Sequence, residues 1–252
     1  MLDTVINEDI RINILIVNNE DALHSAANIG LTAQELRSLF YIKIPERLFY
    51  GLTRDLSHLD SGNQLVNVKI KIDQNDEYEK LHLNEKLIEQ MNAHSAYRNK
   101  NYRVNKVISQ DSTKSIPLQI IDTFMGMVVF LLERNYLKDT DVSKIKSDLI
   151  YRFLIEKNNL ERFQQQIRLF QWTGNEELTQ INIAEYLSPF MVNKIAFDMN
   201  EITKVQKILL RNPECSTKEL RETLGYPNTM LGLLLGYKDH LTGLGRNTYI
   251  KS

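Results

Sequence analysis

The sequence predicts an α/β fold whose C-terminal part is helical, and three observations lead to this class. Residues 64–73 alternate apolar and polar side chains almost strictly, which is typical of a strand with one buried face. Two further strands are predicted at residues 10–17 and 102–109, and helical patterns separate the three strands. After Lys138 every pattern is helical. Strands interleaved with helices favour a layered α/β domain.

Composition and charge exclude several classes of protein. Of the 252 residues, 42% are hydrophobic and 25% are charged, which is too much apolar surface for a disordered chain. The formal net charge of −1 excludes a uniformly basic nucleic-acid coat protein but not a local basic face. The single cysteine, Cys215, excludes an intrachain disulfide.

The N-terminal residues and the apolar segments predict a cytoplasmic protein without a membrane partner. Residues 1–9 lack the basic region of a secretory signal. The longest apolar run, residues 118–132, contains Asp122 and Thr123 and is shorter than the roughly 20 residues of a membrane span. It is therefore interpreted as a buried helix.

Local signals place the helices of the first half. Thr32 and Glu35 form a capping box, in which the hydroxyl accepts from a helix amide while the glutamate reaches back, and this helix runs to about Tyr41. Pro45 suits the first turn of a second helix, where its missing N–H has no cost. A third, amphipathic helix is predicted at residues 77–93.

One predicted helix, at residues 117–136, is unusual because Asp122 is the only charged residue between Lys114 and Glu133. A helix that is apolar on nearly all sides is expected to be buried. Its small and polar residues share one stripe, which should face a polar group because a buried unpaired carboxylate is costly. This stripe consists of Gln119, Asp122, Thr123 and Gly126.

Two carboxylates are candidates for a site, and each has a structural alternative. Asp122 is either a metal ligand or catalytic carboxylate, or a residue held by a structural hydrogen bond or ion pair. Asp73 ends the alternating strand, and strand ends in α/β sheets commonly carry site residues. Its alternative role is an Asx turn through residues 73–76.

Two short segments resemble the bacterial family called domain of unknown function 3800. The series Asp111-Ser112, Leu118-Gln119-Ile120-Ile121-Asp122 and Gly126 is similar to the closing motif of that family. Residues 43–52 resemble its central helix, and the strand that ends at Asp73 occupies the place of its middle acidic strand. The resemblance covers about residues 10–135.

The resemblance implies a partial ribonuclease-H-like mixed sheet and a nuclease or phosphodiesterase that depends on Mg²⁺ or Mn²⁺. In such folds, carboxylates from separate elements hold divalent metal for phosphodiester cleavage. Asp73 and Asp122 would then be the catalytic carboxylates and metal ligands. Gln119 would orient them, and Asp111 and Ser112 would shape the loop before the helix.

The sequence departs from the family at its start. The family opens with a strand that ends in Asp-Glu-Ser-Gly, and this sequence contains no such segment. The chain is therefore expected to begin part-way through the fold, with a protein partner or an N-terminal segment completing the sheet. Without that partner, the strand at residues 10–17 should be an edge strand.

The last 52 residues suggest a separate unit. They carry eight Lys or Arg and five Asp or Glu, a charge of +3. Ser216 and Glu219 form a second capping box, Gly225 suits the stop of that helix, and a third helix is predicted at residues 230–237. With a hairpin at residues 241–250, this pattern resembles a winged helix-turn-helix.

A winged helix-turn-helix would place Lys238 and Arg246 near nucleic-acid phosphates. The alternative is a helical cap packed on the core. The predicted division is a ribonuclease-H-like core at residues 1–138, a helical extension at 139–200 and the helix-turn-helix-like unit at 201–252. Two functions therefore remain open, a metal-dependent nuclease and a non-catalytic module that binds nucleic acid or protein.

Overall fold

The computed structural model describes residues 2–8, 10–56, 65–172 and 178–243, with the backbone alone over residues 49–56. The fold is mixed α/β and mostly helical. The strands are β1 Ile12–Val17, β2 Val66–Asp73, β3 Tyr102–Gln110, β4 Ile167–Trp172 and β5 Thr179–Ile181. The helices are α1 Leu2–Val5, α2 Asn19–Asn28, α3 Ala33–Leu56, α4 Asp76–Lys80, α5 Leu83–Tyr97, α6 Ile116–Leu132, α7 Asp141–Tyr151, α8 Leu160–Gln166, α9 Ala184–Arg211, α10 Thr217–Leu224 and α11 Leu231–Thr242.

The order of strands and helices from β1 to α6 confirms the α/β class predicted from the sequence. None of the helices in the described parts of the chain is both long enough and apolar enough to cross a membrane. Within the described ranges the strands form two sheets, one with the order β1-β4-β5 and one of β2 and β3. The ribonuclease-H-like fold stays a prediction, because these two pairings do not form one continuous sheet over the residues described.

A parallel β-α-β unit is built from β2, α5 and β3. The two strands are parallel, with Asp73 opposite Gln110 at their carboxyl ends. Burial alternates along β2 as the sequence predicts, because one face of the strand meets α5 while the other faces solvent. The core under this sheet contains Leu83, Leu87, Met91, Tyr102, Val104 and Val107.

A second parallel pair joins strands that are far apart in sequence. β1 runs parallel to β4, and β5 is antiparallel to β4. β1 is an edge strand of this sheet over the described residues, as predicted. Whether a partner or an N-terminal segment completes a sheet stays a prediction.

The prediction that the chain is helical throughout after Lys138 is wrong at residues 167–172. Residues 167–172 form β4, in which Ile167 and Leu169 are buried on alternate positions. The three glutamines at 164–166 favour a helix, and α8 does end at Gln166. The chain then becomes a strand, because pairing with β1 satisfies the backbone N–H and C=O groups of both strands. The extension after Lys138 is thus not entirely helical.

Two predicted helix boundaries are also wrong. Pro45 lies inside the continuous helix α3 instead of opening a new helix. A proline there removes one backbone hydrogen bond, a cost that packing on neighbouring elements can offset. The helix predicted at residues 77–93 is two helices, since His82 adopts a left-handed backbone conformation with φ of 50° between α4 and α5.

The chain forms two compact units. The first unit comprises Met1–Met125 and Gln164–Ile183, and the second comprises Gly126–Phe163 and Ala184–Ser252. These units do not coincide with the predicted division at residues 138 and 200. One reason is that β4 pairs with β1 and β5 pairs with β4, which places the chain from 164 to 183 in the first unit.

A three-helix core occupies the C-terminal part of the second unit. The capping box of Ser216 and Glu219 is present, with both reciprocal hydrogen bonds. Gly225 ends α10 in the left-handed conformation, with φ of 70°, as predicted. α11 continues to Thr242, so the predicted hairpin begins too early, and its residues 244–250 lie outside the described part of the chain. The winged helix-turn-helix stays a prediction.

Candidate functional site

The Asp73 carboxylate lies at the exposed end of β2 and holds the neighbouring loop. Its Oδ1 accepts a hydrogen bond from the backbone N–H of Gln74 at 3.0 Å. The same oxygen accepts from the backbone N–H of Ser112 at 3.1 Å, 39 residues further along the chain. The local donor is the next residue along the chain, whereas the Asx turn of the structural alternative would use the amide two residues along. The long-range bond connects the end of β2 to the loop that precedes α6.

Asp111 shapes that loop, as the family resemblance implies. Its Oδ1 accepts from the backbone N–H and the hydroxyl of Thr113, at 2.9 and 2.6 Å, and so caps a short 3₁₀ turn at Ser112–Lys114. The hydroxyl bond, followed by the amide bond, holds the pKa of the Asp111 carboxyl below its usual value. The carboxylate is therefore ionised at neutral pH and serves as a cap for the loop.

Gln119 holds the same loop from the helix side. Its Nε2 donates to the carbonyl oxygens of Ser112 at 3.0 Å and of Thr113 at 2.9 Å. The Gln119 amide oxygen is a further acceptor of this side chain. Ser112 is thus bonded through its N–H to Asp73 and through its carbonyl to Gln119. We call Asp73, Asp111, Ser112 and Gln119 the loop cluster.

Asp122 lies three residues after Gln119 on α6, and its side chain is exposed. The prediction that this helix is buried on nearly all sides is wrong for its first three turns. Ile116, Ile121 and Met125 are 62%, 38% and 43% exposed, although Phe124 on another side of these turns is fully buried, and burial becomes extensive from Met127 onwards. Apolar composition did not determine burial, because much of a folded protein's surface is apolar.

Sequence reasoning missed Tyr78, an aromatic neighbour of the loop cluster. Burial raises the pKa of the Tyr78 hydroxyl above its usual value, and the nearby charge of Asp73 raises it further. The ring packs edge-on against Tyr41 at 4.9 Å between centroids. A neutral phenol beside a carboxylate can donate a hydrogen bond to a ligand. The only sequence signal was its position, five residues after Asp73.

The chemistry of these donors suits a hard divalent cation. Mg²⁺ is commonly bound through one or two carboxylates while it retains several waters. Asp73, Asp122 and the Gln119 amide oxygen supply oxygen ligands of this type. Within the described ranges, however, no group of three or more His, Cys, Asp or Glu side chains is arranged to hold a metal ion. A cation here would therefore depend on two carboxylates and on ligands from water or substrate.

Lys238 and Arg246 are the predicted contacts to nucleic acid, and only Lys238 lies in the described part of the chain. Lys238 Nζ donates to the backbone carbonyl of Cys215 at 2.6 Å, so this ammonium ties α11 to the segment before α10. α11 buries Leu233, Leu234 and Tyr237 in its own core, and Gly236 faces the Arg152 guanidinium. Whether α11 contacts nucleic acid stays a prediction. Arg246 lies outside the described residues.

A second group of charges, which sequence reasoning missed, is buried in the second unit. Lys194 is 3% exposed, and its Nζ lies 2.5 Å from both oxygens of Asp198 and 3.2 Å from Asp148 Oδ1. Arg152 Nε lies 2.9 Å from Asp148 Oδ2, and the Tyr237 hydroxyl donates to Asp198 Oδ1 at 2.7 Å. We call these five residues the ion network.

The ion network connects α7, α9 and α11 with its charges balanced. Two carboxylates face one ammonium and one guanidinium, which is the condition under which buried charges are tolerated. Burial and the hydrogen bond to Asp198 both raise the pKa of the Tyr237 hydroxyl far above its usual value. The tyrosine is therefore a permanent donor. The sequence carried one signal, the spacing of Lys194 and Asp198 by one helical turn.

Comparisons with known proteins add no relative to this picture. No protein-family model, no curated protein and no solved structure matches the chain.

Proposed function

We propose that this protein is a divalent-metal-dependent phosphodiesterase that acts on nucleic acid, related to the domain of unknown function 3800 family and its ribonuclease-H-like fold. The supporting observation is the hydrogen-bonded path from Asp73 through Ser112 to Gln119, one helical turn before Asp122. This path ties the acidic strand end to the helix that carries the second acid.

The loop cluster and Asp122 together supply the carboxylates and the supporting hydrogen bonds for phosphodiester cleavage. Asp73 and Asp122 are exposed carboxylates on separate elements, open to a cation or to a substrate. Gln119 and Asp111 hold the intervening loop through hydrogen bonds. Because Asp73 is bonded to the backbone of that loop, its carboxylate is held in position by the loop as well as by its own strand. When bound, Mg²⁺ or Mn²⁺ supplies Lewis-acid stabilisation of negative charge on the phosphate.

The test measures Mn²⁺ binding by calorimetry and by electron paramagnetic resonance. We expect Asp73→Asn and Asp122→Asn each to weaken binding at least about tenfold, since even residues that only support metal ligands have effects of that size. Cleavage of fluorescently labelled single-stranded RNA and DNA in Mn²⁺ should fall with binding. Because Asp122 is exposed, its substitution should change the free energy of unfolding by less than about 0.5 kcal/mol.

The matched control is Asp139→Asn, since Asp139 is an exposed carboxylate that pairs with Lys144 in the second unit. This variant should bind Mn²⁺ as the parent protein does. If Asp122→Asn leaves Mn²⁺ affinity and cleavage unchanged, Asp122 is not part of a site, and the proposal fails.

A further inference from the structure

A cavity of about 430 Å³ lies in the first unit at the carboxyl ends of β1 and β4. Val17 and Trp172 end these two parallel strands, lie opposite one another in the register and both line the cavity. Ligands of open α/β sheets bind outside the carboxyl ends of parallel strands. The volume falls in the range of small-molecule sites, roughly 300–1,000 Å³. Position and size therefore both indicate a small-molecule site.

The walls of the cavity are mostly apolar. Leu15 and Val17 contribute from β1, and Leu36, Phe40 and Ile44 contribute from one face of α3. The Trp172 ring packs edge-on against Phe40 at 5.2 Å between centroids. Ile29 and Leu39, which also line the cavity, are 75% and 47% exposed. Such exposed apolar groups around a concave surface favour an occupant with an apolar body.

Basic side chains outnumber acidic ones among the described residues of the wall. Lys43 and Arg47 line the cavity from α3, one helical turn apart and on the same face as Phe40. Among the described residues of the wall the one acid is Asp21, whose Oδ2 accepts from Asn18 Nδ2 at 2.6 Å. Lys43 shares its charge with Glu46 at 2.8 Å. The Arg47 guanidinium is thus the strongest feature for recognition of an anion.

We propose that this cavity binds an amphipathic monocarboxylate, with its apolar body between α2, α3 and the strand ends and its carboxylate on Arg47. An arginine can hold a carboxylate through two parallel hydrogen bonds, which an alcohol cannot reproduce and an amine would oppose. The site is separate in its residues from the loop cluster and does not depend on the proposed nuclease function.

Trp172 provides the measurement, because it is the only tryptophan in the chain and it lines the cavity. Its fluorescence would be recorded while the intact protein is titrated with decanoate, decan-1-ol or decylamine, with decan-1-ol kept below its solubility limit and the two charged probes below their critical micelle concentrations. The three probes share one apolar chain and differ in the charge of the head group.

We expect decanoate to change Trp172 emission and to bind about tenfold or more tightly than decan-1-ol, with decylamine weakest, because hydrogen bonds to charged groups are among the strong ones. Arg47→Met should reduce the affinity for decanoate about tenfold and leave that for decan-1-ol unchanged. The matched control Arg103→Met changes an exposed arginine on β3 and should have no effect.

A second variant tests the cavity itself. Ser25 is exposed on α2 and lines the cavity, so Ser25→Phe should occupy part of it and weaken all three probes while circular dichroism stays unchanged. The proposal is overturned if no probe changes Trp172 emission, if decylamine binds as well as decanoate, or if Arg47→Met has no effect. Asp73→Asn and Asp122→Asn should not alter decanoate binding, which separates this test from that of the nuclease.

Discussion

Two groups of acidic residues, one in each unit of this protein, are used in opposite ways. In the first unit, Asp73 and Asp122 are exposed, and Asp73 is bonded to backbone amides. In the second unit, Asp148 is buried and shares Lys194 with Asp198. A carboxylate bonded to amides at the surface keeps oxygens available to a ligand, whereas one enclosed by cations has none to offer. The comparison separates acids that can act on a ligand from acids that position helices.

The two groups of acids also differ in how much their loss should change the free energy of unfolding. Removing one partner of a buried ion pair leaves an uncompensated charge, which costs several kcal/mol. Removing an exposed acid costs little, because water replaces the lost partner. Substitutions of buried and of exposed polar residues test this difference.

Lys194→Met should destabilise the protein by about 3–5 kcal/mol, since it leaves Asp148 and Asp198 without their shared ammonium. Urea unfolding followed by far-ultraviolet circular dichroism measures the change. The matched control is Lys207→Met, an exposed lysine on the same helix, which should stay within about 0.5 kcal/mol. Equal midpoints for the two variants would contradict the structural role of the ion network.

Tyr237→Phe should cost about 1.5–3 kcal/mol, because it removes a hydrogen bond to a charged acceptor, Asp198 Oδ1. The ring stays in place, so the apolar packing of α11 is preserved. Hydrogen exchange of α11 amides would accelerate with this loss. The comparable change Tyr97→Phe alters an exposed tyrosine and should leave exchange unaffected.

Ser216→Ala should cost about 1 kcal/mol, since it removes the N-cap of α10. The effect is smaller than that of the buried variants because water can replace the lost bond at an exposed helix end. Ser216→Asn restores a capping side chain and should recover most of the stability in the same urea measurement. A loss that persists in Ser216→Asn would point to a cause other than capping.

Glu219 should add a small pH dependence to the same helix. The Ser216 amide and hydroxyl lower the pKa of its carboxyl below the usual value. The folded state therefore binds this proton less readily than the unfolded state, so the stabilisation is present at neutral pH and is lost as the pH falls through the folded pKa. Urea midpoints measured between pH 6 and pH 3 should decline less in Glu219→Gln than in the parent protein.

The sequence predicted features that depend on neighbours along the chain. The alternation of Val66, Val68, Ile70 and Ile72 gave β2, and the capping box and Gly225 gave both ends of α10. These signals are short-range, because a strand face and a helix cap are defined within a few residues.

Features that depend on distant partners were not predicted. β4 is a strand because β1 pairs with it from more than 150 residues away. Lys194 is buried because Asp148 reaches it from α7, and lysine is rarely buried without such a partner. The cavity beside Trp172 likewise requires the β1–β4 pairing, which places Trp172 opposite Val17.

The loop cluster falls between these cases. The family resemblance marked Asp73, Asp111, Ser112 and Gln119. In the structure Ser112 is bonded to Asp73 and to Gln119, and Asp111 caps the same loop through Thr113. The exposure of Asp122 could not be derived from composition, since a run of apolar residues suggested the opposite. Tyr78 had no motif to indicate it, because its relation to Asp73 depends on the turn after β2.

The position of Cys215 allows local opening to be timed chemically. This thiol is the only one in the chain, is 3% exposed, and packs with Leu220 and Leu234 in the three-helix core. An alkylating reagent can reach it only when that core separates, so the rate of modification without denaturant reports how often the C-terminal helices part. Because no second thiol contributes, the fraction of chains that carry one added mass at each time gives the modification rate.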